Sequence, residues 1–283
     1  MRDPLFCGRT EVYMSLPIAL QLYSIRDRFP NDPIGTLKTV KAMGYDGVET
    51  GLYGFEPEQI CAWCAEAGLT IVSTHVPLGE MLKDPIGTLT HFSKLGCRYT
   101  VVPYLAPNIR AVTPNYPYIV EFIRQLCMAA KSLGLTMLYH NHDFDFAKFN
   151  GQYALDYLYA QIPATLLQTE LDTCWIHVAG VDPSQYIRKY AGRTPVIHLK
   201  DYSAQRPTDG KDPFAMGLTP QKAMIDFQYR PLGDGVLDMP SVLRASVYSG
   251  AEWVIVEQDS PTVGSTSMEC AAKSIQYLRS VVW

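Results

Sequence analysis

Four segments of the chain are apolar runs that end in groups able to hold a cation or move a proton. The first is Leu135-Thr136-Met137-Leu138, which leads into Tyr139-His140-Asn141-His142-Asp143. The others are Leu166-Leu167-Gln168-Thr169-Glu170-Leu171-Asp172, Pro195-Val196-Ile197-His198-Leu199-Lys200-Asp201 and Trp253-Val254-Ile255-Val256-Glu257-Gln258-Asp259. Side chains alternate along a strand, so His140 and His142 share a face, as do Glu170 and Asp172, His198 and Lys200, and Glu257 and Asp259. Polar groups that collect at strand C-terminal ends are the way a β/α barrel assembles an active site. Carboxylates cannot crowd into one small volume at neutral pH without a cation or shared protons. A divalent ion resolves that conflict. Asp, Glu and His donors with no thiolate suit Mn²⁺, Mg²⁺, Co²⁺ or Zn²⁺ and do not choose among them.

The elements that must position these groups alternate along the chain. Strands are expected over 18–23, 47–50, 69–76 and 99–104, followed by the four polar-tipped runs as strands five to eight. Helices are expected over 33–43, 57–67, 84–95 and 116–133, each stopped by a glycine (Gly44, Gly68, Gly96, Gly134), and over 153–161, 183–190, 240–248 and 267–281. Asp32 is placed to cap the first helix, with Pro33 in its first turn. Eight strand–helix units predict an α/β fold, a single (β/α)8 TIM barrel. A doubly wound open sheet is the alternative, but no GxGxxG follows the first strand. One connection is long: residues 202–237 after strand seven are rich in Pro, Gly, Asp and Lys. Loops of this length are commonly lids or insertions, so it is expected to cover substrate.

The length of 283 residues suits one barrel domain over 16–283, with residues 1–15 read as an N-terminal extension and Met14 as an alternative start. A formal net charge of −4 gives no electrostatic reason to expect nucleic acid. No apolar stretch approaches the ~20 residues that span a bilayer, so no membrane is expected. The first residues, with Arg2, Asp3, Arg9 and Glu11, lack the apolar core of a signal peptide. Seven cysteines without a paired metal pattern suggest reduced thiols and a cytoplasmic setting, with Cys61 and Cys64 packing inside a helix.

The residue types and their order resemble the xylose isomerase-like TIM-barrel superfamily, in particular its sugar phosphate isomerase/epimerase branch. The resemblance runs from Leu16 to the last helix. It is carried by Gln21-Leu22-Tyr23-Ser24, Tyr139-His140-Asn141-His142-Asp143-Phe144, Leu171-Asp172-Thr173-Cys174-Trp175, His198-Leu199-Lys200-Asp201 and Gly233-Asp234-Gly235. In that family one metal is usually held by Glu, Asp, His and Glu from strands five to eight. The resemblance therefore implies Asp172, His198 and Glu257 as ligands. His140 stands where the strand-five Glu is expected: either it takes over as ligand, or water or substrate fills that position. Endonuclease IV, which adds further His ligands, also belongs to this resemblance. Trp175 stands where one of them would fall, so a multi-zinc phosphodiesterase site is not expected.

A lone strand-end His is usually just hydrogen-bonded, but His198 with Asp172 and Glu257 on successive strands favours ligation. Glu170, His142 and Lys200 are candidates for proton transfer. Glu170 could instead orient a ligand or pair with Lys200, and Lys200 could be a charge partner of Glu170 or Asp201. His142 could instead contact substrate or support a ligand. His75 and Glu49 end strands three and two, where a substrate would be touched. Tyr23, Trp175 and Tyr104 would form an apolar wall for a sugar ring, or simply pack the barrel.

The resemblance implies a metal-dependent isomerase or epimerase of a sugar or sugar-derived polyol, acting through an enediolate. A lyase of the inosose dehydratase or 3-keto-glycoside eliminating kind shares that intermediate. A non-catalytic sugar-binding barrel is a third reading. Gly233-Asp234-Gly235 is the one glycine-rich stretch placed to cradle phosphate. It adds a negative charge, so an unphosphorylated carbohydrate is preferred. Barrels of this family often pair, and the 202–237 connection is placed to meet a second copy in a homodimer.

Overall fold

The computed structural model describes residues 16–208 and 210–281; the expected extension over 1–15, with Met14, lies outside the described residues. Eight parallel strands close into a barrel: β1 (Ile18–Gln21), β2 (Gly47–Thr50), β3 (Thr70–His75), β4 (Tyr99–Val102), β5 (Thr136–His140), β6 (Leu167–Asp172), β7 (Val196–Leu199) and β8 (Trp253–Val256). Closure is made where Ile18 pairs with Val254 and Leu20 with Val256. Among the described residues no helix is long and apolar enough to cross a membrane. Cys64 is buried and Cys61 partly so, and both are free thiols within their helix.

Several expected boundaries shift by a residue or two, strand four ending at Val102 among them, and two differences have a clear physical cause. The first strand stops at Gln21 because its side chain accepts a hydrogen bond from the Tyr23 amide and starts a 3-10 turn over Leu22–Ile25. The helix expected over 84–95 is Pro85–Ser93, and a further helix, Leu78–Lys83, runs directly into it. Pro85 disfavours a helical Asp84, which sits at φ −145° and ψ 87° and caps the second helix through the Gly87 amide at 2.9 Å.

Inside the barrel a small apolar layer forms a dry floor: Ala19, Val72, Tyr99, Val101, Leu138, Val196 and Ile255. The next inward positions toward the strand C-termini are polar and almost wholly buried, among them Gln21, Glu49, His140, Glu170, Asp172 and His198. Sealed below by the floor and outside by helices, these groups must satisfy one another or a ligand.

The 202–237 connection is more ordered than a loop reading implies. Asp201–Gln205 and Ile225–Arg230 pair antiparallel, with a register shift between Ser203 and Gln205, and a short helix, Pro220–Ala223, lies between them. The Asp201 carboxylate folds back to accept amide hydrogens from Tyr202 at 2.9 Å and from Gly233, Gly235 and Leu237 at 3.2 Å each. A Cβ on Gly235 would sit 2.1 Å from Asp201 Oδ1, so only glycine lets the main chain come this close. Two amides of the Gly-Asp-Gly stretch are thereby spent on Asp201 rather than turned toward a phosphate.

Candidate metal centre

Register brings the polar strand ends to one level. His140 pairs with Glu170 across β5 and β6, and Asp172 with His198 across β6 and β7. His198 Nδ1 lies 3.1 Å from Glu257 Oε2, while His140 Nε2 lies 3.7 Å from Asp172 Oδ2 and 3.9 Å from Glu257 Oε2. One donor atom from each of these four residues falls within 4.8 Å of the others, which is close enough to share one ion. A second set, His75, His140, Glu170 and His198, meets the same limit.

Two residues that the sequence reading did not single out hold the frame. Asn141 Oδ1 accepts the Asp172 amide at 3.0 Å, and its Nδ2 donates to the Asp172 carbonyl at 3.4 Å. Thr173 Oγ1 donates to the His198 carbonyl at 3.0 Å and accepts the Lys200 amide at 3.4 Å. Each ties one strand end to the next. A residue beside a ligand that carries both a donor and an acceptor is the signal that would have found Asn141.

Lys200 does not pair with Glu170 or with Asp201. Its ammonium lies 2.8 Å from Glu257 Oε2, 3.1 Å from Asp172 Oδ2 and 3.2 Å from Asp259 Oδ2. Burial alone would lower the Lys200 pKa, but Asp172, Asp259 and Glu257 raise it well above the ordinary range, so it is charged. Burial, only partly offset by Lys200, pushes the Asp172 carboxyl up to about 6. Burial also works against the Glu257 carboxylate, yet Lys200 and His198 hold it well below the usual range.

Behind this group lies a second carboxylate layer. Glu49 Oε1 is 2.7 Å from His198 Nε2, 3.0 Å from His75 Nε2 and 2.6 Å from the Gln21 amide nitrogen, and its Oε2 accepts from Ser73. Glu170 Oε2 is 2.9 Å from His75 Nε2 and 3.1 Å from His140 Nδ1. The pair is split electrostatically. Burial would raise both, but the charges of His75 and His198 hold Glu49 well below the ordinary range, while burial and Glu49 push Glu170 up to about 7. His140 is driven well below its usual value by burial and by His198, and so stays neutral.

A cavity of about 790 Å³ opens over the centre. His75, His140, His142, Lys200, Glu257, Tyr23, Trp175 and Tyr104 all line it, together with Gln21 and Asp259. Asp172, His198, Glu170 and Glu49 lie just beneath its surface, fully buried. Contact with a molecule in the cavity is therefore closed to Glu49, against the expectation that it touches substrate: three donors already surround its Oε1. Glu170 is set back in the same way. His142 stacks between Phe144 at 5.2 Å and Trp175 at 5.5 Å, and Trp175 continues the stack to Phe227 of the long connection at 6.2 Å. The wall expected from Tyr23, Trp175 and Tyr104 thus gains Tyr229, backed by Phe227, on a strand hidden in an apparently irregular stretch. Tyr229, Thr219, Gln221 and Lys222 reach the cavity, and the Gln221 amide is anchored on Asp143 Oδ2 at 2.8 Å. Arg110, which the sequence reading also passed over, lines the rim with its guanidinium 3.6 Å above the Phe144 ring and bonded to the Tyr104 hydroxyl.

A family model described as xylose isomerase-like TIM barrel matches residues 37–281. The chain belongs to the xylose isomerase-like TIM-barrel family. Among curated relatives, the inosose dehydratase of Geobacillus kaustophilus (strain HTA426) is 21% identical, covering 90% of this chain and 89% of its own length. Among solved structures, a sugar phosphate isomerase/epimerase from Parabacteroides distasonis ATCC 8503 superposes with a TM-score of 0.77 at 20% identity, over 94% of this chain and 99% of that one. The IOLI protein with a bound zinc atom superposes with a TM-score of 0.67 at 14% identity, over 93% of this chain and 96% of that one.

The residues of this xylose isomerase-like barrel fit a metal ion. One buried oxygen of this set, Asp172 Oδ2, has no aligned hydrogen-bond donor, although it feels the Lys200 charge. Two imidazoles and two carboxylates form a donor set suited to a divalent ion of intermediate hardness.

Proposed function

We propose that this chain is a divalent-metal-dependent isomerase or epimerase of a sugar or sugar-derived polyol, working through an enediolate. The observation that carries the reading is the convergence of His140, Asp172, His198 and Glu257 beneath a cavity into which Lys200 and His142 also face. Those four residues would hold one Mn²⁺, Mg²⁺, Co²⁺ or Zn²⁺ ion. Such an ion supplies Lewis acidity that polarises a substrate carbonyl and acidifies the neighbouring C–H.

The chain's own side chains handle the protons. Burial and Lys200 keep the His142 pKa well below its usual value, so the imidazole is neutral and able to accept a proton. Its stack between Phe144 and Trp175 fixes the ring plane. The Lys200 ammonium, held by three carboxylates at the cavity surface, is placed to stabilise negative charge on an enediolate oxygen or to protonate a departing hydroxyl. Glu170, set back beneath His75 and His140, takes part through those rings. The chemistry of the cavity favours an unphosphorylated carbohydrate, because two amides of the Gly-Asp-Gly stretch are committed to Asp201.

One observation favours a second reading, a dehydratase or lyase of the same family: the inosose dehydratase name of the curated relative. The two share the enediolate and differ in whether a β-oxygen leaves, a step Lys200 would assist. Incubation of the metal-loaded protein with a panel of ketoses, inososes and 3-keto-glycosides in deuterated water separates them. Solvent deuterium in an isomer or epimer is the expected result. A dehydrated or deglycosylated product transfers the assignment to the lyase. No exchange with any member leaves a carbohydrate-binding barrel.

A further inference from the structure

The two donor sets that meet in this barrel share His140 and His198, and the shared rings present opposite edges to them. His198 turns Nδ1 toward Glu257 at 3.1 Å and Nε2 toward Glu49 at 2.7 Å. His140 turns Nε2 toward Asp172 and Glu257, at 3.7 and 3.9 Å, and Nδ1 toward Glu170 at 3.1 Å. The imidazoles thus form a partition, with Asp172 and Glu257 on one side and Glu49 and Glu170 on the other. A neutral imidazole offers one lone pair, so it serves an ion through one nitrogen only and carries hydrogen on the other. An ion on each side would require both rings to lose both protons. Glu49 Oε1 is already surrounded by Gln21, His75 and His198, and Ser73 donates to Oε2. Glu257 of the first side lines the cavity, whereas Asp172, Glu49 and Glu170 are all fully buried beneath it.

With the one ion proposed above held on the Asp172–Glu257 side, we infer that Glu49 and Glu170 are positioning residues. Each accepts the outward N–H of one ligand imidazole, Glu49 from His198 Nε2 and Glu170 from His140 Nδ1. This rests on the metal reading proposed above and assigns two carboxylates that do not touch substrate. Fixing the hydrogen on one nitrogen leaves the lone pair of the other aimed at the ion, and an anionic acceptor strengthens it as a donor. It also gives a physical account of a His on strand five. A carboxylate there needs no tautomer selection, whereas His140 does, and Glu170 on the paired strand supplies it.

The test is Co²⁺ titration of metal-free wild type, E49Q and E170Q, followed by the visible ligand-field spectrum, by chelator competition and by equilibrium dialysis. Wild type binds one Co²⁺ per chain. Both variants still bind one, with affinity about 10- to 100-fold weaker and an altered spectrum, because the carboxylates support ligands. E49A and E170A deepen the loss. Unfolding of the metal-free proteins is followed in parallel; if an alanine variant does not fold, the near-isosteric glutamine variant carries the test. A wild-type stoichiometry of two that drops to one in E49Q or E170Q overturns the inference, since the residue would then be a ligand. Unchanged affinity and spectrum in both overturn it as well. A wild type that binds no Co²⁺ defeats the metal reading itself, an outcome distinct from either.

Discussion

The Lys200 ammonium lies 2.8 Å from Glu257 Oε2 and 3.1 Å from Asp172 Oδ2, so a fixed cation shares the acidic corner where the metal ion is proposed to bind. Two carboxylates that close could not both stay ionised in a dry barrel without it. Asp259, at 3.2 Å and nearer the solvent, gives the ammonium a third partner on the cavity side.

Lys200→Met removes that charge and the proton donor while keeping the bulk. Turnover should fall about 10²- to 10⁴-fold, the usual range for a positioned acid or base. Metal content should be retained, because a competing cation has gone. Initial rates beside elemental analysis check both; retained turnover removes Lys200 from the chemistry.

Asn141→Ala cuts both hydrogen bonds to the main chain of Asp172 and takes away the partner of its buried amide. The expected cost is about 1–3 kcal/mol of folding stability, read from urea unfolding. Weaker metal binding should accompany it, since Asp172 loses its anchor.

Trp175→Phe shortens the middle of the stack that runs from Phe144 through His142 to Phe227. KM should rise by roughly tenfold at most, with a smaller change in kcat, as befits an aromatic contact worth about 0.5–1.5 kcal/mol. A collapse of kcat with unchanged KM would instead make Trp175 a support of His142.

Asp145 accepts the Tyr139 hydroxyl and the His142 amide, each at 2.8 Å, yet burial outweighs both and pushes its carboxyl up to about 7. The unfolded chain ionises it near pH ~3.9. Between those values the native state holds the extra proton, so this residue's contribution is fully present at low pH and is lost as pH rises toward 7. The stability difference between wild type and Asp145→Asn should therefore shift against wild type by about 1.4 kcal/mol per pH unit across that window. Parallel urea curves at pH 4.5, 5.5 and 6.5 read the trend; a difference that is flat with pH contradicts it.

Much of this was legible in the residues. Glycine stops and polar strand tips encode the barrel locally, since each unit carries its own period and its own cap. His140, Asp172, His198 and Glu257 stand out because buried strands have little use for such groups. What stayed hidden depends on distance between segments. Nothing near Glu49 in sequence announces that His198 and Gln21 enclose it. Lys200 could be given a carboxylate partner, but choosing Asp172, Glu257 and Asp259 over Glu170 required the barrel register. The hairpin of the long connection escaped because its strands, Asp201–Gln205 and Ile225–Arg230, mix polar and apolar residues without clean alternation.

The central claim is tested most directly by the metal content per chain of purified wild type, His198→Ala and Glu257→Gln, with folding checked by circular dichroism. One equivalent of a divalent metal in wild type, lost in both folded variants, is the predicted result. Full occupancy in both variants, or none in wild type after metal loading, would contradict it.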